Sequence, residues 1–240
     1  MKFTAQGTGS STFASGKDVL RNITLFHGCN DQILARLEAG LVPATHQSQE
    51  CILKEGDPAD RLYCLLNGAA KITRRLSGGE EQIISLARPG EVLGLQALMH
   101  HPVFTSSAVA IQPTQGVYLS KSALKDALKE DPSLSLNILR SLCLEMDAVE
   151  DKIAGLTRKN SPQRIAEALL LLKEKFGTDE RGYLQIQLTR KDLANLTHTT
   201  TSTLSRVLAQ FRRQGILGGG RQIRICDPSR LNALANNATR

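Results

Sequence analysis

LTRKDLANLTHTTTSTLSRVLAQFRRQGIL, residues 188 to 217, decides how this chain is read. Thr189 stands three residues before Asp192, a helix-capping arrangement with Asp in place of the usual Glu. A short helix is predicted next, with Leu193, Ala194 and Leu196 turned inward. Thr197 to Thr199 form a turn, and a second helix runs from about Thr200 to Gln214. Along it Leu204, Val207, Leu208 and Phe211 recur at steps of three and four, the period of a buried face. Thr201, Ser202, Ser205, Arg206, Gln210 and Arg213 fall opposite. An apolar side that anchors such a helix, with a cationic, hydroxyl-rich side free at its N-terminal turns, suits the DNA major groove. Gly215 ends the helix. Ile216-Leu217, Gly218-Gly219-Gly220 and Arg221 to Ile225 then predict a hairpin with a basic tip, a wing whose amides and Arg221 suit a flanking phosphate. Either helix alone is common. Helix, turn, helix and glycine hairpin in this order point to double-stranded DNA.

The charge distribution agrees. The chain has 240 residues and a net charge of +7. From Arg158 to Arg240 there are 15 Lys+Arg against 6 Asp+Glu, while Met1 to Thr157 is close to neutral. A basic C-terminal third implies a polyanionic partner for that third. Hydrophobic residues make up 41% of the chain and aromatics only 4%, so the cores must be aliphatic. No apolar span reaches membrane length, so no membrane association is expected. The five cysteines (Cys29, Cys51, Cys64, Cys143, Cys226) are scattered without CxxC spacing, which argues against disulfides and zinc and suits a reducing cytoplasm. Their simplest role is as small buried hydrophobes. GxSxG, Walker and HExxH patterns are absent, so no catalytic residue and no enzyme activity are expected.

Upstream, Leu41 to Ser120 is predicted to be strand-rich. Apolar runs at Cys51–Leu53, Leu62–Leu66, Ala69–Leu76 and Gln82–Leu86 alternate with turn signals, and further strands are expected near Ser106–Ile111 and Gly116–Leu119. This spacing suggests a sandwich or roll, with Asn67-Gly68 as a tight hairpin turn. Ser120 caps a short helix that Asp131-Pro132 ends. Leu139, Leu142, Met146, Val149, Ile153 and Leu156 then fall on one seam of a long helix, the pattern of a pairing helix in a homodimer. Gly155 to Asn160 reads as a hinge, and Ser161-Pro162 starts another helix with Ser as its cap. The predicted division is a flexible lead-in over 1–18, a β-roll sensor over 19–131, a dimerisation helix over 132–157 and a DNA-binding domain over 158–240.

Arg164-Ile-Ala-Glu-Ala-Leu-Leu, Leu188-Thr-Arg-Lys-Asp-Leu-Ala and Thr203-Leu-Ser-Arg-Val-Leu resemble the C-terminal domain of the Crp/Fnr regulators. Lys54-Glu-Gly-Asp-Pro, Leu62-Tyr-Cys-Leu-Leu-Asn-Gly, Ala87-Arg-Pro-Gly-Glu and Leu93-Gly resemble their β-roll. The resemblance runs from about Leu25 to Leu234. It implies an α+β chain with an N-terminal cyclic-nucleotide-binding-like β-roll, a long dimerisation helix and a C-terminal winged helix-turn-helix. It also implies a transcription regulator, with RNA polymerase as a partner if it activates. By matched position Arg206 contacts a base, and Arg190, Thr200 and Thr203 contact phosphates. Ser202 stands where the family usually has a glutamate, with Thr201 before it, so the operator letters are not carried over. Thr201, Ser202, Ser205 and Arg221 complete the candidate DNA-contacting set.

In members of the family that bind cyclic AMP, a glutamate follows a pocket glycine and an Arg-Ser pair holds the cyclic phosphate. Here Leu95 follows Gly94, and Thr105-Ser106 replaces Arg-Ser. Without that arginine the phosphate lacks a bidentate partner, so cyclic AMP is not the expected effector. Gly94, Leu95, Gln96, Thr105, Ser106 and Ser107 form the candidate pocket for some other ligand, if it is not an empty scaffold. Only Cys29 lies near the region where oxygen-sensing members hold an iron–sulfur cluster, so no such cofactor is expected. His100-His101 reads as a pair of exposed loop histidines, and no metal site is expected. The rival reading is a cyclic-nucleotide-like ligand-binding module that acts on a protein partner. The basic C-terminal wing weighs against it.

Overall fold

The computed structural model describes residues 3–4, 12–13 and 16–236, with the backbone alone described for 3–4, 12–13, 151–152 and 154–158. The chain divides into two compact units, Met1–Met146 and Asp147–Arg240.

In the first unit β1 (Phe3–Thr4) pairs with β2 (Thr12–Phe13), followed by α1 (Gly16–Arg21), a 3-10 turn at Thr24–Phe26 and α2 (Asp31–Glu38). Asn30 caps α2, accepting from the Gln32 N–H at 2.8 Å. The strands follow as β3 (Val42–His46), β4 (Cys51–Leu53), β5 (Arg61–Asn67), β6 (Ala70–Arg75), β7 (Glu81–Ala87) and β8 (Val92–Leu93). Next come α3 (Leu95–His100), β9 (Ser107–Ala110), β10 (Thr114–Ser120), α4 (Lys121–Glu130) and α5 (Pro132–Arg158). They form two antiparallel sheets of four strands, in the orders β3-β10-β5-β8 and β4-β9-β6-β7.

The apolar run of β5 has a simple cause. Side chains alternate across a strand, and both faces of β5 are covered. Tyr63 and Leu65 join Ile52, Leu53, Phe104 and Ala108 in the core of the roll. Leu62 and Cys64, with Val117 and Leu119 of β10, pack under a helical layer that includes Leu20, Leu34, Leu98, Leu124 and Leu134. Asp131 ties that layer together, accepting from the Asn30 N–H at 3.0 Å and the Ser133 hydroxyl at 2.5 Å. The Ser133 hydroxyl, then the Asn30 amide, hold its carboxyl below the ordinary 3.8.

Asn67-Gly68 is not a hairpin turn. β5 and β6 lie in different sheets, so Gly68 turns a corner between them. Its φ is +91°, and a Cβ there would stand 2.5 Å from the Pro113 carbonyl oxygen, so glycine alone fits. The hairpin of this region joins β6 and β7, through Ser77-Gly78-Gly79. Two of the cysteines, Cys29 and Cys64, are buried as expected; Cys51, Cys143 and Cys226 are exposed, and all five are free thiols. The expected lead-in over 1–18 lies mostly outside the described residues, and its last three already belong to α1.

The second unit takes in the last part of α5, then α6 (Ser161–Phe176), α7 (Arg190–Leu196), α8 (Thr201–Arg213), β11 (Leu217–Gly218), β12 (Arg224–Ile225) and α9 (Pro228–Asn236). The break between α5 and α6 is shorter than the hinge expected from Gly155 to Asn160. Residues 155–158 are helical, since one glycine inside a helix costs only about 1 kcal/mol. The cap of α6 is Asn160, not Ser161. Its side chain accepts from the Gln163 N–H at 3.1 Å while Gln163 Oε1 accepts from the Asn160 N–H at 2.7 Å. That reciprocal box satisfies two end groups where serine would satisfy one. Ile165, Leu169 and Leu172 of α6 are buried with Leu193 of α7, Leu204, Val207, Leu208 and Phe211 of α8, and Leu231 of α9.

Candidate nucleic-acid interface

Two caps set the helices of the interface. Thr189 Oγ1 accepts from the Asp192 N–H at 3.0 Å and donates to Asp192 Oδ2 at 2.7 Å, starting α7. Thr200 Oγ1 accepts from the Thr203 N–H at 3.2 Å, starting α8. Between them the buried Thr197 closes α7 by donating to the Leu193 carbonyl at 2.9 Å. His198 takes a left-handed conformation, φ +50°, which a non-glycine residue adopts only under local constraint. Arg164 of α6 supplies part of that constraint. Its guanidinium donates to the carbonyls of Thr197 at 3.0 Å, His198 at 3.2 Å and Lys159 at 2.7 Å. Charge-assisted bonds to the Thr197 and His198 carbonyls fix the turn between the helices, and the bond to Lys159 ties it to the start of α6.

The predicted faces of α8 are present. Leu204, Val207, Leu208 and Phe211 are fully buried. Thr200, Thr201, Ser202, Ser205 and Arg206 are exposed, and Thr203 is half-buried. Ser205 donates to the Thr201 carbonyl at 2.7 Å. Thr200 Oγ1 donates to Thr203 Oγ1 at 3.0 Å and lies 2.9 Å from Ser202 Oγ, so these hydroxyls form a local cluster at the helix start. Arg206 has no hydrogen-bond or ion-pair partner among the described residues.

The wing is shorter than expected, a two-residue ladder pairing Leu217 with Ile225 and Gly218 with Arg224. Gly219 has φ +76°, and a Cβ there would meet the Gln222 carbonyl oxygen at 2.3 Å. Arg221 is exposed beyond it. In the turn of the wing the Gly220 carbonyl accepts from Arg190 Nη2 at 3.2 Å and from Arg212 Nη2 at 3.1 Å. Neither guanidinium is paired with a carboxylate among the described residues, and Arg212 Nε is buried without a partner. Burial, then the Arg212 charge, pull Arg190 below its ordinary value. Two cations held together this way leave a local concentration of positive charge that a phosphate would neutralise. The sequence reading missed Arg212. It lies two turns after Ser205 on the polar side of α8, but only the chain return at Gly220 brings it to Arg190.

In the first unit the six candidate effector residues are only partly brought together. A cavity of about 300 Å³ is lined by Leu95, Gln96 and Thr105, joined by Arg74, Met99, His100, His101, Ile138 and Leu142. Gly94, Ser106 and Ser107 do not line it. Gly94 is instead the left-handed start of α3, where a Cβ would stand 2.8 Å from Leu53 Cδ1. Ser107 Oγ accepts from the Glu55 N–H at 3.0 Å. His100 and His101 are exposed at the end of α3, their rings edge to face at 4.7 Å.

Of the seam on α5, Leu139, Met146, Val149 and Ile153 are all more than half exposed. Leu142 is a correction: it is half-buried and packs against its own core, while the exposed Leu136 and Cys143 extend the row. The Leu156 side chain lies outside the described residues. No helix among the described residues is long and apolar enough to cross a membrane.

Residues 44–131 match the family described as Cyclic nucleotide-binding domain, and residues 163–234 the Crp-like helix-turn-helix domain. The CRP-like cAMP-activated global transcriptional regulator of Mycobacterium tuberculosis is 30% identical over 217 residues, covering 89% of this chain and 97% of that protein. The Fumarate and nitrate reduction regulatory protein of Salmonella typhimurium is 29% identical over 198 residues, covering 80% of this chain and 77% of its own length. Among solved structures, FixK2 from Bradyrhizobium japonicum superposes with a TM-score of 0.74 at 29% identity, covering 83% of this chain and 99% of that one.

Proposed function

Because the chain belongs to the Crp/Fnr family of DNA-binding transcription regulators, we propose that it acts as a homodimer whose two α8 helices read successive major grooves of one operator. The exposed apolar row on α5 supports the dimer, since isolated water gives Leu139 and Met146 nothing to pack on. The observation that carries the DNA-reading assignment is Arg206, exposed on the polar face of α8 and unpartnered among the described residues. An arginine so placed makes a bidentate contact to guanine O6 and N7. Thr201, Ser202 and Ser205 border it with hydroxyls that accept several bases. Arg190, Arg212, Arg221, Thr200 and Thr203 hold the flanking phosphates and set the register. The protein works in the cytoplasm, where the DNA is, and meets RNA polymerase there if it activates.

The Mycobacterium relative is named as cAMP-activated. That effector does not carry over to this chain, because the buried Leu95 and the Thr105-Ser106 pair stand where a cyclic nucleotide needs a carboxylate and an arginine. The β-roll is proposed as a sensor for another ligand. The test of DNA reading is Arg206→Ala, measured by fluorescence anisotropy on a bound duplex and on the same duplex with its guanines exchanged. Affinity for the preferred duplex should fall about tenfold or more, and the preference at one base position in each half-site should disappear. Equal affinity and unchanged preference would remove Arg206 from the interface.

A further inference from the structure

We propose that the cavity beside α3 takes a small amphipathic anion, a carboxylate with an apolar body, and that Arg74 holds its charge. This rests on the reading of the β-roll as a sensor and names the class of its ligand.

The cavity is about 300 Å³, the lower end of the range for small-molecule sites. Leu95 and Ile138, each 5% exposed, line it with Leu142 and Met99. That wall excludes water from a hydrocarbon or aromatic body and offers it no hydrogen bond. The charge comes from β6, outside the stretch that supplies the family-like pocket. Arg74 Nε donates to the Thr105 carbonyl at 3.2 Å, which orients the guanidinium at the cavity. Its terminal nitrogens have no partner among the described residues, and no carboxylate neutralises it. A guanidinium stays protonated, and its planar fork matches a carboxylate.

The other polar groups narrow the ligand. The Gln96 amide donates to Glu145 Oε2 of α5, so its nitrogen is committed within the protein. No acidic side chain lines the cavity, so a ribose finds no carboxylate for its hydroxyls. His100 and His101, both exposed, also line it. One oriented cation above an apolar wall is a site for an anionic head on a short greasy tail. Because Ile138 and Leu142 belong to α5, the tail rests on the helix whose exposed side carries Leu139 and Met146.

The probes are octanoate, its uncharged analogue octanamide, and cyclic AMP, titrated calorimetrically into the full-length protein without DNA. Octanoate should bind, octanamide at least about tenfold more weakly, and cyclic AMP more weakly than octanoate. Arg74→Gln, at an exposed position, should bring octanoate down to the octanamide affinity. Met99→Trp, which fills the cavity from a position 47% exposed, should weaken both. Absence of octanoate binding to millimolar concentration, equal affinity for octanoate and octanamide, or octanoate binding unaltered by Arg74→Gln would overturn the proposal. So would tighter binding of cyclic AMP. DNA binding by the ligand-free protein is measured separately, so a failed titration beside intact DNA binding refutes the ligand class and leaves the regulator reading standing.

Discussion

Replacing Arg212 with alanine removes one of the two guanidinium groups that meet on the Gly220 carbonyl, 3.1 and 3.2 Å from its oxygen. If Arg190, Arg212 and Arg221 each neutralise a phosphate, a dimer neutralises about six, and the logarithm of its DNA affinity falls against the logarithm of salt with a slope of about −5. Arg212→Ala takes out one contact per protomer, so the slope becomes shallower by about 2. The loss should be largest at low salt, and the two curves should converge as salt rises, because what is lost is counterion release. The free protein should be no less stable. The substitution deletes a buried Nε that has no partner and removes the like charge that pulls on Arg190. Fluorescence anisotropy on a labelled duplex over a series of potassium chloride concentrations reads the slope, and thermal melting of the free protein reads stability. A slope equal to that of the parent protein, with affinity reduced uniformly or with lost stability, would show that Arg212 props the wing and touches no phosphate.

Leu139→Glu combined with Met146→Glu sets carboxylates in the exposed row of α5 and should leave a monomer in sedimentation where the parent chain sediments as the proposed dimer, while weakening operator binding; a variant that still dimerises would mean that another surface pairs the chains. Gly68→Ala forces a side chain into a φ of +91° against the Pro113 carbonyl, and should destabilise the roll by about 1–3 kcal/mol or more; an unchanged melting transition would refute the tight corner.

What the sequence made legible follows from what each signal measures. The two faces of α8 were readable because burial imposes a period of three to four residues, and Leu204, Val207, Leu208 and Phe211 keep it without interruption. The caps at Thr189 and Ser120 were readable because a cap is a local arrangement of side chain and amide. Asn67-Gly68 misled for the same reason that it signalled a turn. Positive φ permits a hairpin and a corner alike, and only the partners of β5, which are β8 and β10, distinguish them. The short β3 and β8 and the helices before the roll lacked a clear alternation and went unassigned. At Leu142 a heptad count could not tell a seam from a core, because both demand leucine; the nearby core of its own unit decided it. Long-range meetings were out of reach. Arg74 with Thr105 spans 31 residues and Arg190 with Gly220 spans 30, and no spacing rule joins them. The substitutions Leu95, Thr105 and Ser202 were visible as departures, but a departure names what is missing and not what replaces it.

The most direct measurement is selection of duplexes by the purified protein from a random pool. Reading by paired α8 helices predicts recovery of a two-fold symmetric site, its half-sites centred one helical turn, about 10 base pairs, apart. The same selection with Arg206→Ala should keep the symmetry and lose one guanine position in each half. Sequences no more symmetric than the starting pool, or a symmetric site recovered with every position intact after Arg206→Ala, would contradict the exposed face of α8 as the surface that reads DNA.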